Sequence, residues 1–214
     1  MKNLIVFDID GTLTDSVEIH QKAFKETLHE IGVKEIKKEF KKFKHHTDSY
    51  IVKEIYEQET NEKFIDSKFV EFEKGLNDKI CKNVISEING AKKLIESLNK
   101  NSDFGFCFAT GSLLRPAIHK LNSIGVNYHE ELLIASDKIY SREEIVSQAI
   151  KNAERHYGVK SFKRIISVGD GLWDLNTAKK LNLEFIGVGI KNQEILKKNG
   201  ANIIFEDLIE FQIK

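Results

Sequence analysis

The stretch FDIDGTLTDS, residues 7–16, decides how this chain is read. It continues the apolar run 4–7 without a break, so a short buried strand leads directly into two aspartates. Asp8 and Asp10 are two residues apart, and in extended backbone that spacing turns both side chains to one side. Gly11 then allows the chain to leave the strand sharply. Two carboxylates at the C-terminal edge of a parallel strand repel each other and cap no helix. That same edge is where open α/β sheets carry their sites. A polar turn closing the strand is the alternative for a bare Asp-x-Asp pair; the full string favours a site.

Working outward, further short apolar runs occupy residues 104–109, 132–135, 165–168, 185–190 and 203–205. Between them the apolar positions follow helical spacing, as in Leu94, Ile95 and Leu98, or Ile145, Val146, Ala149, Ile150 and Ala153. Strand runs alternating with helical patterns predict an α/β fold, a Rossmann-like parallel sheet covered on both faces. Residues 17–82 interrupt the alternation. Ile19, Ala23, Phe24, Leu28 and Ile31 trace one helix face; Ile36, Phe40 and Phe43 a second; Ile51, Val52, Ile55 and Tyr56 a third; and residues 64–80 supply a fourth. The expected organisation is a catalytic core made of residues 1–15 and 84–214, with a small all-helical cap domain, 16–83, inserted between them.

Two other strand ends carry chemistry-bearing residues. FCFATGS (106–112) places Thr110, Gly111 and Ser112 just before a helix, where a hydroxyl and backbone N–H groups suit phosphate oxygens, although the same string makes an ordinary helix cap. SVGDGLWDLNTA (167–178) supplies Asp170 and Asp174, the latter equally able to cap the next helix. Parallel strands bring these ends to one edge.

DIDGTLTDS, ATGS and VGDGLWD resemble the first, second and fourth motifs of the haloacid dehalogenase superfamily of phosphatases and related hydrolases. The position of the helical insertion is similar to that of the phosphoglycolate phosphatase and β-phosphoglucomutase-like subfamily. The resemblance implies a Rossmann-like core, a mobile helical cap and Mg²⁺-dependent phosphoryl transfer through an aspartyl-phosphate. The departure is the third motif, where the family has a lysine at the start of a helix. Here the region reads SDKIYSREEIV (136–146), in which Ser141 and Glu144 form a capping box and Arg142 falls in the first helical turn. Arg142 is the expected substitute for that lysine, and Lys138 is its competitor.

Splitting a phosphate ester requires an in-line nucleophile, charge neutralisation and a proton for the leaving oxygen. Asp8 can be the nucleophile and Asp10 the general acid and later base. Thr110 and a basic side chain, Arg142 or Lys138, with Gly111 and Ser112, would hold the phosphate oxygens. Mg²⁺ takes oxygen ligands and keeps several waters, so Asp8, Asp170 and the Asp10 carbonyl would suffice, with Asp174 a further candidate ligand. Asp10 marks phosphatases and phosphomutases within the superfamily and argues against carbon–halogen cleavage. The expected function is a phosphatase for a small phosphomonoester metabolite. A phosphomutase of the β-phosphoglucomutase kind and a catalytically silent binding protein on the same fold are the alternatives.

In the insertion, residues 34–46 hold six lysines, Lys34, Lys37, Lys38, Lys41, Lys42 and Lys44, read as a solvated helix face. His45, His46, Thr47 and Asp48 follow at a helix–helix junction, where His46 is a candidate for reading the substrate and Asp48 for capping the next helix. His119, His129 and His156 have no partners in sequence, and Trp173 is expected to pack. The 214 residues carry thirty-three basic and thirty-three acidic side chains, a formal charge of zero that argues against nucleic acid or an anionic membrane as partner. Two cysteines without metal-like spacing and the absence of a long apolar run suit a cytoplasmic chain, expected as a monomer.

Overall fold

A computed structural model describes residues 2–211, the side chain of Lys41 excepted. Six parallel strands form the sheet: β1 (Asn3–Phe7), β4 (Phe104–Ala109), β5 (Leu133–Ile134), β6 (Arg164–Gly169), β7 (Glu184–Val188) and β8 (Ile204–Phe205), in the order β5-β4-β1-β6-β7-β8. Each predicted strand run is present. β1 lies between β4 and β6, pairing Phe7 with Phe108 on one side and Val168 on the other, so the three strands end side by side. The strands are apolar because both faces are covered. Ile5, Phe7, Phe106 and Phe108 pack against α4 (Ala91–Leu98) and α5 (Leu114–Ser123), while Leu4, Val6, Cys107 and Ala109 pack against α6 (Arg142–His156). α7 (Leu172–Lys180) and α8 (Gln193–Lys198) complete the layers.

Residues 17–80 supply three α-helices, α1 (Val17–Glu30), α2 (Asp48–Thr60) and α3 (Asp66–Ile80), around an apolar cluster of their own that includes Phe24, Leu28, Val52, Phe72 and Leu76. The expected helix over the lysine-rich segment is not there. Gly32, at φ 109°, turns the chain out of α1, and only a single 3-10 turn forms, Phe40–Lys42. Lysines three and four apart would repel along one helix face, and three apolar residues do not offset this. Ile36 and Phe40 still pack against the cluster and Phe43 is buried within it. Two short strands escaped the sequence reading: β2 (Thr14–Asp15) and β3 (Ser86–Glu87) pair antiparallel where the chain enters and leaves the helical insertion. Among the described residues no helix is long and apolar enough to cross a membrane.

Candidate active site

The C-terminal ends of β1, β4 and β6 bring Asp8, Thr110 and Asp170 to one sheet edge, as the strand register requires. A cavity of about 290 Å³ opens there, lined on the sheet side by Asp8, Asp10, Thr110, Gly111, Ser112 and Arg142. Gly11 is at φ 79°, and a Cβ on it would collide with the Asp170 carboxylate, so glycine is needed for both the turn and the close approach.

Arg142, not Lys138, reaches the carboxylates. Ser141 caps α6 by accepting a hydrogen bond from the Glu144 N–H at 3.3 Å, and its hydroxyl donates to Glu143 at 2.8 Å. That cap fixes the first turn, from which the buried Arg142 guanidinium donates to Asp8 Oδ1 at 2.9 Å and to Asp174 Oδ1. Lys138 is exposed and does not line the cavity. The Arg142→Ala variant is expected to lose about 10²–10³ in kcat/KM, since a preorganised charge beside Asp8 is removed. Arg142→Lys should keep part of the activity, and Lys138→Ala should stay near wild type; the reverse order in steady-state kinetics would contradict this placement.

Of the two roles open to Asp174 in sequence, cap and metal ligand, the structure shows the cap: one oxygen accepts from the Gly171 N–H at 3.1 Å at the start of α7, and the other takes Arg142, a partner the sequence did not announce. The carboxylate oxygens of Asp8, Asp170 and Asp174 lie within 4.8 Å of one another. Burial and mutual repulsion follow: burial first, then Asp174, push Asp8 up to about 7 against the pull of Arg142, and burial followed by Asp174 raises Asp170 well above the carboxylate range. Asp170 Oδ1 is buried with no hydrogen-bond partner among the described residues. Crowded, oxygen-only donors with one unsatisfied carboxylate oxygen fit a hard divalent cation. Asn192 Nδ2 donates to the Asp170 carbonyl at 3.0 Å, a support that no sequence spacing announced.

Asp10 takes no part in that cluster through its side chain. Its carboxylate turns to the other wall, where it accepts from Ser16 Oγ at 2.5 Å and meets Lys120 Nζ at 2.6 and 2.8 Å. Lys120 comes from α5, is fully buried, and also contacts His20 Nδ1 at 2.9 Å and Ser112 Oγ at 3.2 Å, so its three N–H bonds all have partners. Because Lys120 donates to Nδ1, His20 carries its proton on Nε2 and donates it to Asp48 Oδ1 at 2.9 Å. Asp48 Oδ2 in turn accepts from the Leu113 N–H at 3.0 Å. Burial alone would raise Asp10, but the Lys120 ammonium brings it down to about 2. Sequence reasoning missed Lys120 and His20. The available signal was a lysine inside the buried stripe Ala117, Lys120, Leu121 of α5.

Thr110 Oγ1 accepts from the Ser112 N–H at 3.0 Å, shaping the turn, and Gly111 lies against the His46 carbonyl so closely that a Cβ would overlap it. The Asp48 N–H donates to the Gly111 carbonyl at 2.7 Å, tying the start of α2 to this loop. Gly111→Ala is expected to cost about 1–3 kcal/mol in urea unfolding, because the His46–Asp48 backbone has to move. His46 lines the cavity, stacked on Trp173 at 5.0 Å between centroids, and burial, then Arg142, lower it to about 4. Trp173, expected only to pack, lines the cavity too. His129 and His156 do find partners: they lie 4.6 Å apart and His156 meets Glu131 at 2.8 Å, by the opposite sheet edge.

A family model described as haloacid dehalogenase-like hydrolase matches residues 5–188. Comparison with curated proteins gives no match. Among solved structures, a hydrolase from Pseudomonas syringae is 22% identical, with 98% of this chain and 95% of that one covered and a TM-score of 0.72. CbbY from Rhodobacter sphaeroides in complex with xylulose-(1,5)bisphosphate is 19% identical, with 98% and 96% covered and a TM-score of 0.73. A putative β-phosphoglucomutase from Bacteroides vulgatus is 15% identical, with 97% and 84% covered and a TM-score of 0.71. At these identities the likeness is one of fold.

Proposed function

The chain belongs to the haloacid dehalogenase-like hydrolases, and we propose that within them it is a Mg²⁺-dependent phosphatase that hydrolyses a small phosphomonoester through an aspartyl-phosphate on Asp8. The observation that carries this reading is the Asp8 carboxylate, set at the end of the central strand between Arg142 and the Asp170–Asp174 cluster, with Asp10 on the opposite wall of the same cavity. Residues 16–83 act as the cap that covers it.

In the first half-reaction an Asp8 oxygen attacks phosphorus, an acyl-phosphate bond forms and the ester oxygen–phosphorus bond breaks. Arg142 holds Asp8 and offers charge to the phosphoryl oxygens, and Thr110 with the following backbone receives the others. Asp10 delivers a proton to the departing oxygen. The pull of Lys120 keeps Asp10 as a carboxylate in the free chain, so this proton arrives with the substrate, whose second ionisation lies near pH 6. In the second half Asp10, again a carboxylate, takes a proton from the water that attacks the phosphorus, and phosphate leaves Asp8 free. Asp8, Asp170 and the Asp10 carbonyl would hold Mg²⁺, with Asp174 keeping Arg142 in place. Mg²⁺ would supply the charge that lets the anionic phosphate group approach these carboxylates.

Phosphate release from p-nitrophenyl phosphate and a panel of alkyl phosphates, with Mg²⁺ and then with EDTA, tests the reading. Turnover that disappears on chelation and returns with Mg²⁺ is expected; no turnover of any ester, or turnover indifferent to chelation, would contradict it.

A further inference from the structure

The rest of the cavity lining differs in character from the sheet side: it holds Val17, Phe24, Phe40, Ile51 and Trp173, with Gln21, His20 and His46 as the polar exceptions. Among the described residues lining it, the only lysine or arginine is Arg142, which is paired with Asp8 and Asp174. The remaining carboxylate of the lining, Asp48, is taken up by His20 and the Leu113 N–H. His46 is held neutral at pH 7, and His20 already has a partner on each ring nitrogen. The recorded lysine at Phe40, Lys25, lies over that ring at 5.5 Å and is not part of the lining.

We propose that the preferred substrate carries one phosphate on an uncharged, largely apolar leaving group, and that sugar bisphosphates and phosphorylated carboxylic acids are poor substrates. This rests on the phosphatase reading and specifies the substrate class of that same site. A second phosphate or a carboxylate entering there would lose its hydration without meeting a cation. An apolar group covers Phe24, Phe40, Ile51 and Trp173 and takes their apolar surface out of water. The cavity, about 290 Å³, is at the small end of ligand sites, which suits a single small tail. A neighbouring cavity of about 430 Å³ shares His46, Arg142 and Trp173 as walls and contains Lys44 and Lys180, the latter paired with Glu143. It lies across the His46–Trp173 stack, so a charged tail would have to displace that stack to reach Lys44.

The test compares kcat/KM, with Mg²⁺, for benzyl phosphate, phosphoglycolate and fructose 1,6-bisphosphate, all esters of primary alcohols, so the differences report the tail. Benzyl phosphate is expected to exceed both charged substrates by about a hundredfold. Phe40→Lys places a cation in the apolar wall and should reduce the benzyl phosphate to phosphoglycolate ratio about tenfold. Equal or better turnover of either charged substrate by the wild type would overturn the inference while leaving the phosphatase reading intact, as would an unchanged ratio in a folded Phe40→Lys variant. Failure to release phosphate even from p-nitrophenyl phosphate would instead remove the phosphatase reading on which the inference stands.

Discussion

Asp8→Asn is expected to lower phosphate release by at least about a thousandfold while the protein remains folded. The amide keeps an oxygen for Arg142 to donate to, so the first turn of α6 has no reason to move. What disappears is the negative charge that the proposed attack on phosphorus requires. Stability should move the other way. Burial and the Asp174 charge press on the Asp8 carboxyl and raise it to about 7, so in metal-free buffer its ionised form is held against an unfavourable environment. A neutral amide removes that repulsion, and the melting temperature without Mg²⁺ should equal or exceed that of the wild type, the usual pattern where a site is built at the expense of stability. Near-normal Mg²⁺-dependent turnover by Asp8→Asn would sink the nucleophile assignment.

Lys120→Met is the second large effect. The ammonium is fully buried, and its loss leaves the Asp10 carboxylate with Ser16 as its recorded side-chain partner and Ser112 and His20 each short of a bond. Breaking a buried pair from one side costs about 3–5 kcal/mol, and the lower end applies because Asp10 borders the cavity and water can reach it. Urea unfolding should show the loss as a lower midpoint at constant slope. Adding Asp10→Asn to Lys120→Met should recover about 1–3 kcal/mol, because the stranded charge is then gone. Strictly additive losses in the double variant would mean that Lys120 matters through packing and not through its pair with Asp10.

How far the sequence carried depended on whether a property was local. β1, β4 and β6 were legible because a buried parallel strand needs a continuous apolar run, and Asp8, Thr110 and Asp170 followed because each directly succeeds such a run. Arg142 was legible through its cap, a contact within three residues. The Lys120–Asp10 pair joins residues 110 apart and His20–Asp48 residues 28 apart, and no periodicity encodes such meetings. The missing helix at 34–46 shows the opposite failure, in which three apolar residues at helical spacing outweighed the lysines around them in the reading but not in the fold. Trp173 was under-read for a related reason: next to Asp174 it has the look of filler, and only the approach of His46 from the inserted segment makes it a wall of the cavity.

The pairing of Thr14 and Asp15 with Ser86 and Glu87 has a consequence for how such a chain can change over time. Paired strands run about 5 Å apart, so the points where the inserted helices begin and end nearly touch. A segment whose two ends coincide closes its own loop, so its length can change without pulling on the strands beneath. What has to be kept are its ties to the strand ends: His20 to Lys120, the Asp48 carboxylate to the Leu113 N–H, and the Asp48 N–H to the Gly111 carbonyl. The rest of residues 17–80 can be rewritten while the aspartates stay where the first strand puts them.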